Sequence, residues 1–260
     1  MHYREEGSVE KGLQGAYELS VGEVLSEAWS RTEGIKFTFV ASVFVYAVIV
    51  VIVSVIFSML LDVQSYRESG TQLQALLAQA GVDILKMPIE IPLIAGLMMM
   101  GIRHINRYEI EIRHLFDHYV MVWPLVFASI LIYLFVAVGF MLLILPGIYL
   151  SVAYIFVYPL MIDKGMGIWE AMETSRKAVT KKWFTFFGIM ISMLVITLLS
   201  AIPLGIGLIW TLPMGYLVYG VIYSRVFGYG GELYGDDAAA PHPSDGVNEK
   251  DASAESDGGW

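Results

Sequence analysis

The chain has no cysteine, and only 16% of its 260 residues are charged. Without cysteine there can be no disulfide framework, no thiolate nucleophile and no Cys-ligated metal site. A soluble domain typically carries about 25% charged residues, so the shortage of charge argues against an ordinary water-exposed surface. Other signatures are also missing. There is no Walker loop, dinucleotide fingerprint, G-x-S-x-G elbow or nucleic-acid module, and no soluble stretch long enough for a separate catalytic domain. The expectation is a protein that is not an enzyme, holds no cofactor and binds no nucleic acid. The first thirty residues are polar and charged, with no apolar core after a basic start. No cleavable signal is expected, and the first apolar span should itself direct insertion.

What is present is apolar: 57% of residues are hydrophobic. They fall in blocks of about twenty, the length that crosses roughly 30 Å of hydrocarbon. Six spans can be read, over Phe37–Leu61, Ile84–Ile102, Tyr119–Leu145, Ile148–Ile162, Trp183–Leu204 and Ile206–Phe227. Leu145-Pro146-Gly147 and Pro203-Leu204-Gly205 mark two of the reversals, because Pro ends a helix and Gly permits a tight turn. The expected division is a polar N-terminal segment over 1–17, a membrane domain over 18–229 and an acidic tail over 230–260. Eight acids and one base lie between Gly231 and Trp260, so that tail supplies most of the formal charge of −9. It has too little apolar surface to offset the entropy of ordering and is expected to be disordered.

The basic residues set an orientation. Fourteen of the sixteen Lys and Arg fall in four segments: the N-terminus, the second-to-third and fourth-to-fifth connections, and the C-terminal part. With six spans these share one side, which the positive-inside rule makes cytoplasmic, together with both termini. Only Arg67 lies in an opposite-side loop, and Lys86 sits at a span edge. Three of the basic segments look amphipathic. Val21, Val24, Leu25, Ala28 and Trp29 form a stripe at helical spacing, with Ser20 and Glu23 spaced as a capping box and Glu27 placed to pair with Arg31. Tyr108, Ile112, Leu115 and Tyr119 form a second stripe, and Ile168, Met172 and Val179 a third. The fold expected is an all-α membrane protein: six transmembrane helices in three hairpins, each preceded by a cytoplasmic amphipathic helix.

The first and third of these units share a pattern. Glu23 is followed fourteen residues later by Phe37-Thr38-Phe39, and Glu170 fourteen residues later by Phe184-Thr185-Phe186. At this offset of 147, Val48 and Ile49 are also matched, although apolar matches arise by chance in any two spans. Two readings fit: duplication of a unit, or convergent patterning of helix-then-span. Both copies enter from the same side, so they would be parallel repeats about an axis along the membrane normal, unlike the inverted repeats of many transporters.

Candidate site residues are few. Lys86-Met87-Pro88-Ile89-Glu90-Ile91-Pro92 places a carboxylate inside a span between two prolines. An intramembrane charge is costly and marks a functional candidate, so Lys86 and Glu90 form a candidate polar pair. The competing reading is a structural pair at the outer interface. Arg176, Lys177, Lys181 and Lys182 form a juxtamembrane cluster suited to anionic lipid headgroups. His114 and His118 stand at i, i+4 with Asp117 between them, but nothing downstream completes a metal set. The expectation there is solvated or headgroup-facing histidine, and no metal. Met98, Met99 and Met100 read as adaptable packing.

The stretch Leu145-Pro146-Gly147-Ile148-Tyr149-Leu150, then Tyr158-Pro159-Leu160-Met161-Ile162-Asp163, resembles a broad prokaryotic six-span family, as does its continuation through Gly167-Ile168-Trp169-Glu170-Ala171, Ser175 and Lys182-Trp183. That family includes stand-alone inner-membrane proteins (the YciC-like group) and membrane domains fused to glycerophosphodiester phosphodiesterases. Ser20 to Trp29 resembles its N-terminal helix, and the pattern extends over residues 18 to 228. The resemblance implies the six-span topology and carries over no catalytic residue. The function expected is that of an accessory, scaffold or envelope-maintenance component of the cytoplasmic membrane. Its expected partners are anionic membrane lipids and other subunits of a larger membrane complex. The alternative is a small transporter or lipid-handling permease with a site near Glu90.

Overall fold

The computed structural model describes residues 7–32, 36–62, 64–65, 68, 70–202 and 205–231. Arg67, the Pro203-Leu204 turn and the acidic tail beyond residue 231 lie outside the described residues. Every element within them is helical: α1 (Val9–Gln14), α2 (Val21–Arg31), α3 (Lys36–Leu60), α4 (Gln72–Ile105), α5 (Val122–Leu142), α6 (Ile144–Ala153), α7 (Val157–Asp163), α8 (Ile168–Lys181), α9 (Trp183–Ala201) and α10 (Leu208–Phe227), with two 3-10 turns over Ile112–Leu115 and Asp117–Met121.

Five stretches are long and apolar enough to cross a membrane: Phe37–Leu60, Gln72–Ile105, Ile112–Leu142, Ile144–Asp163 and Trp183–Ala201. That is the make-up of a multi-pass membrane protein. α10 is not among the five. It carries Arg225, Pro213 and three tyrosines, and eleven of its twenty residues are buried, so neighbouring helices surround much of it. α3 and α9 are the opposite case: only 11% of the most apolar window of each is buried.

α10 crosses α4 at two glycines. A Cβ on Gly220 would stand 2.6 Å from the Gly101 carbonyl oxygen, and one on Gly101 would strike the Tyr216 carbonyl. Lipid tails are as apolar as leucine, so helices in a bilayer associate through close packing and favour such small contact residues. The fourth apolar stretch is broken at residues 154–156, between α6 and α7. Pro159 explains part of the break: having no N–H, it leaves the Ile155 carbonyl without its helical donor. The Tyr219 hydroxyl donates to that carbonyl instead, at 2.6 Å. Ser175 of α8 serves the rest, accepting from the Phe156 N–H at 3.2 Å and donating to the Ala153 carbonyl at 2.7 Å. Irregular backbone at such a position is tolerated where protein buries and satisfies it. The fully buried Phe156 ring fills the corner, against Phe186, Tyr219, Tyr223 and Phe227 at 5.5–5.9 Å.

The amphipathic stripes resolve differently. α2 forms over its predicted residues and buries Val24 and Ala28. Ser20 takes the N-cap position, but its side chain makes no capping bond. Glu27 reaches across the fold to Arg225 of α10 at 2.5 Å. α8 forms as expected and buries Ala171, Met172, Ser175, Ala178 and Val179. The middle segment departs from expectation and is no continuous α-helix. Arg107 adopts a left-handed φ of 69°, which turns the chain straight after α4. Gly96 then lets the Leu115 backbone lie against α4, where a Cβ would sit 2.5 Å from the Leu115 carbonyl oxygen. His114 Nδ1 accepts from the Glu111 N–H at 2.9 Å, which closes a tight turn. α4 itself begins at Gln72, well before the expected Ile84. Its 34 residues give a length of about 51 Å. α1, within the N-terminal segment, packs Gly12 against Val226 and Phe227.

Candidate functional site

The structure brings Lys86 and Glu90 together on α4. Lys86 Nζ lies 3.3 Å from Glu90 and 3.2 Å from Asp83, so one ammonium sits between two carboxylates. Helix geometry places Glu90 about 20 Å, and Lys86 about 26 Å, from Arg103 at the other end of α4. If Arg103 marks one edge of a hydrocarbon layer roughly 30 Å thick, the triad lies near the opposite edge. Beside it the Tyr119 hydroxyl donates to the Ile89 carbonyl at 2.8 Å, between the two prolines.

His114 and His118 are buried, which corrects the expectation that they face solvent or headgroups. The turn at Arg107 and the two 3-10 segments tuck them under α4. Among the described residues no cluster of three or more His, Cys, Asp or Glu gathers around a point that could hold a metal ion. Met99 and Met100 are core residues, as their packing reading anticipates.

The basic cluster is partly neutralised from within. Glu173 accepts two hydrogen bonds from Arg176, at 2.8 and 3.0 Å, and stands 3.2 Å from Lys177. The Arg176 bonds, then the one from Lys177, hold the Glu173 carboxyl below the usual carboxylate range. Lys182 Nζ donates to the Tyr17 carbonyl and lies 5.1 Å from the centre of the Tyr17 ring. Tyr17 is itself buried and donates to the Ala178 carbonyl at 2.8 Å. Burial pushes its phenol well above the ordinary value. Lys182 and Tyr17 therefore fasten the N-terminal segment to the point where α8 becomes α9. Lys181 and Lys177 are left on the exposed face.

No sequence motif marks the next feature. A cavity of about 710 Å³ opens between α6, α9 and α10, with Met98 of α4 and Phe140 of α5 completing its wall. Its floor includes the buried Val152 and Thr211, and its rims include the exposed Met190, Ile191 and Leu194. Three of the five hydroxyls along it are turned to backbone: Ser151 to the Gly147 carbonyl, Thr211 to that of Gly207, and Tyr219 to that of Ile155. It therefore offers an apolar wall with few free polar groups. Along α9 it runs from Phe187 to Thr197, about 15 Å. At the Phe187 end that ring stacks on Trp183 at 5.0 Å, and the Trp183 Nε1–H donates to the Tyr149 carbonyl at 3.4 Å. The Tyr149 hydroxyl bonds Thr180 at 2.6 Å, and Arg176 interacts with the same hydroxyl. The groove and the basic cluster are thus joined through Tyr149 and Trp183.

Sequence reasoning also passed over Asp163. Its side chain is fully enclosed, accepting from the Tyr223 hydroxyl at 2.7 Å and the Gly230 N–H at 3.0 Å, with Lys164 Nζ at 3.1 Å. The signal was an acid ending an apolar stretch, but Tyr223 and Gly230 lie 60 and 67 residues away and could not be read as its partners. This knot closes the end of α10 onto α7 and is structural. Comparison of the chain with family models, with curated proteins and with solved structures found no match.

Proposed function

We propose that this is a non-enzymatic accessory or scaffold protein of the cytoplasmic membrane, crossing it six times with both termini in the cytoplasm and working within a larger complex. α10 is the sixth crossing, its lower hydropathy offset by burial among the others. Three hairpins follow, the first and third as parallel repeats, and the YciC-like resemblance agrees with that topology. The observation that carries the accessory reading is the thin packing of α3 and α9, each 11% buried over its most apolar window. They offer two long faces that lipid or a partner helix must cover. Purification from native membranes in mild detergent is expected to yield stoichiometric companions, whereas a lone chain would overturn the scaffold role. A reporter on either terminus that reads as external would overturn the orientation.

A second reading, a lipid-handling permease, is favoured by the groove. Here the site moves away from Glu90, which is paired with Lys86 and does not line the cavity. Headgroup movement across vesicles carrying the protein, compared with empty vesicles, tests it: equal rates would sink it.

A further inference from the structure

The groove, its Phe187 end and the basic cluster form one continuous path, and we propose that this path is a binding site for a single anionic phospholipid. One acyl chain lies along α9 from Phe187 to Thr197. The phosphate lies beyond Tyr149 and Trp183, against Lys177 and Lys181, with Arg176 behind them. The inference deepens the lipid-handling reading but needs only binding, not movement.

Three observations support this occupant. The cavity's volume of about 710 Å³ falls within the usual 300–1,000 Å³ range of ligand pockets. Three of its five hydroxyls are already bonded to backbone, so it offers little to a polar solute, and an apolar cavity facing lipid fills with hydrocarbon rather than water. The net charge beyond its Phe187 end is positive. α8 and its junction carry Arg176, Lys177, Lys181 and Lys182 against Glu170 and Glu173, a surplus of two positive charges. With Glu173 engaged by Arg176 and Lys177, and Lys182 by Tyr17, the exposed Lys181 adds a further cation one turn beyond Lys177. Trp183, whose ring continues into the groove through Phe187, is the amphipathic type found at headgroup level. A helix from a second copy of the chain could fill the groove but would leave this charge unanswered.

The test uses the full chain in detergent, titrated with dioleoyl phosphatidylglycerol or dioleoyl phosphatidylcholine and read by native mass spectrometry. Gly215→Leu fills the groove, and a Cβ there meets only the Met193 methyl, at 3.6 Å. Leu194→Trp blocks it from an exposed rim position, where folding is not at stake. Both variants are expected to lose the first tightly held lipid of either type. Lys177→Gln with Lys181→Gln is expected to keep that lipid but lower the preference for phosphatidylglycerol by about 25-fold, at roughly fivefold per cation. If both groove variants hold lipid as the parent does, the site is refuted. Loss of a dimer in those variants, without a change in lipid, would assign the groove to a second copy and equally refute it. Lipid retention without headgroup movement would fail the permease reading and leave this site standing.

Discussion

The first and third helix–span units use the same three residues in the same way. Phe37 is 85% exposed and Phe184 83%, while Phe39 and Phe186 are fully buried, two residues further on. In each unit one ring points out where the span begins and the next phenylalanine turns inward. The partners differ. Phe39 stacks on Tyr216 at 5.8 Å, whereas Phe186 meets Tyr17 at 6.2 Å and Phe156 at 5.8 Å, both edge-on. The surface helices differ too. α2 is held to α10 by charge, Arg225 lying 2.5 Å from Glu27 and 3.4 Å from Glu23. α8 is held to the broken α6–α7 segment by Ser175. The same exposed-then-buried phenylalanine pattern thus accompanies two docking modes, one ionic and exposed at its edge, the other neutral and buried.

Substitutions can break this comparison. Phe186→Ala and Phe39→Ala are each expected to cost about 3–5 kcal/mol, as usual for a buried Phe. Phe186→Ala should lie at the upper end because its ring joins the Phe156 cluster. Phe37→Ala and Phe184→Ala, on exposed rings, should fall within about 0.5 kcal/mol of the parent. Denaturant unfolding in a fixed detergent measures all four, and a large loss for either outer ring would end the parallel. Ser175→Ala leaves the Phe156 N–H and Ala153 carbonyl without their partner and should cost about 1–3 kcal/mol. Glu27→Gln in the first unit should cost less, and its effect should shrink with salt because the pair reaches solvent. A salt-independent loss would make the two docking modes alike.

The smallest expected effects depend on pH. Glu173 titrates below the ordinary carboxylate range in the folded protein. Its contribution is therefore complete above the unfolded value near 4.3 and is lost as pH falls through the lowered folded value. Thermal melting between pH 6 and 3 should show this in the parent and not in Glu173→Gln. Tyr17 shifts the other way, since burial raises its phenol. Its contribution holds below about pH 10 and fades as alkali ionises the unfolded chain first. Tyr17→Phe should flatten that alkaline slope while costing about 1 kcal/mol at neutral pH for the bond to Ala178.

The apolar stretches and the two outer amphipathic helices were legible because length and period carry them directly. Five of the six expected spans meet the same criterion in the structure. Tyr108, Ile112, Leu115 and Tyr119 misled because helical spacing does not show that Arg107 will reverse the chain, or that Gly96 will admit the Leu115 backbone. The Lys86–Glu90 pairing was readable as i, i+4. The groove was not, because Val152, Leu194 and Thr211 look like any other residues of an apolar span until three helices surround them. Glu27 is spaced to pair with Arg31, but its bond to Arg225 spans 198 residues and has no signal in the sequence.

The bond from Tyr219 to the Ile155 carbonyl also says something about the order in which this protein is made. The two residues are 64 positions apart, and a ribosome delivers Pro159 and its orphaned carbonyl first. Until α10 arrives, the bend between α6 and α7 lacks the donor that completes it, and Phe156 lacks three of its four aromatic neighbours. The fourth stretch must therefore wait in the membrane in an unfinished form. A nascent chain halted before Tyr219 should remain open to proteases and to chaperones of membrane insertion, and a segment synthesised later locks an earlier one into its final shape.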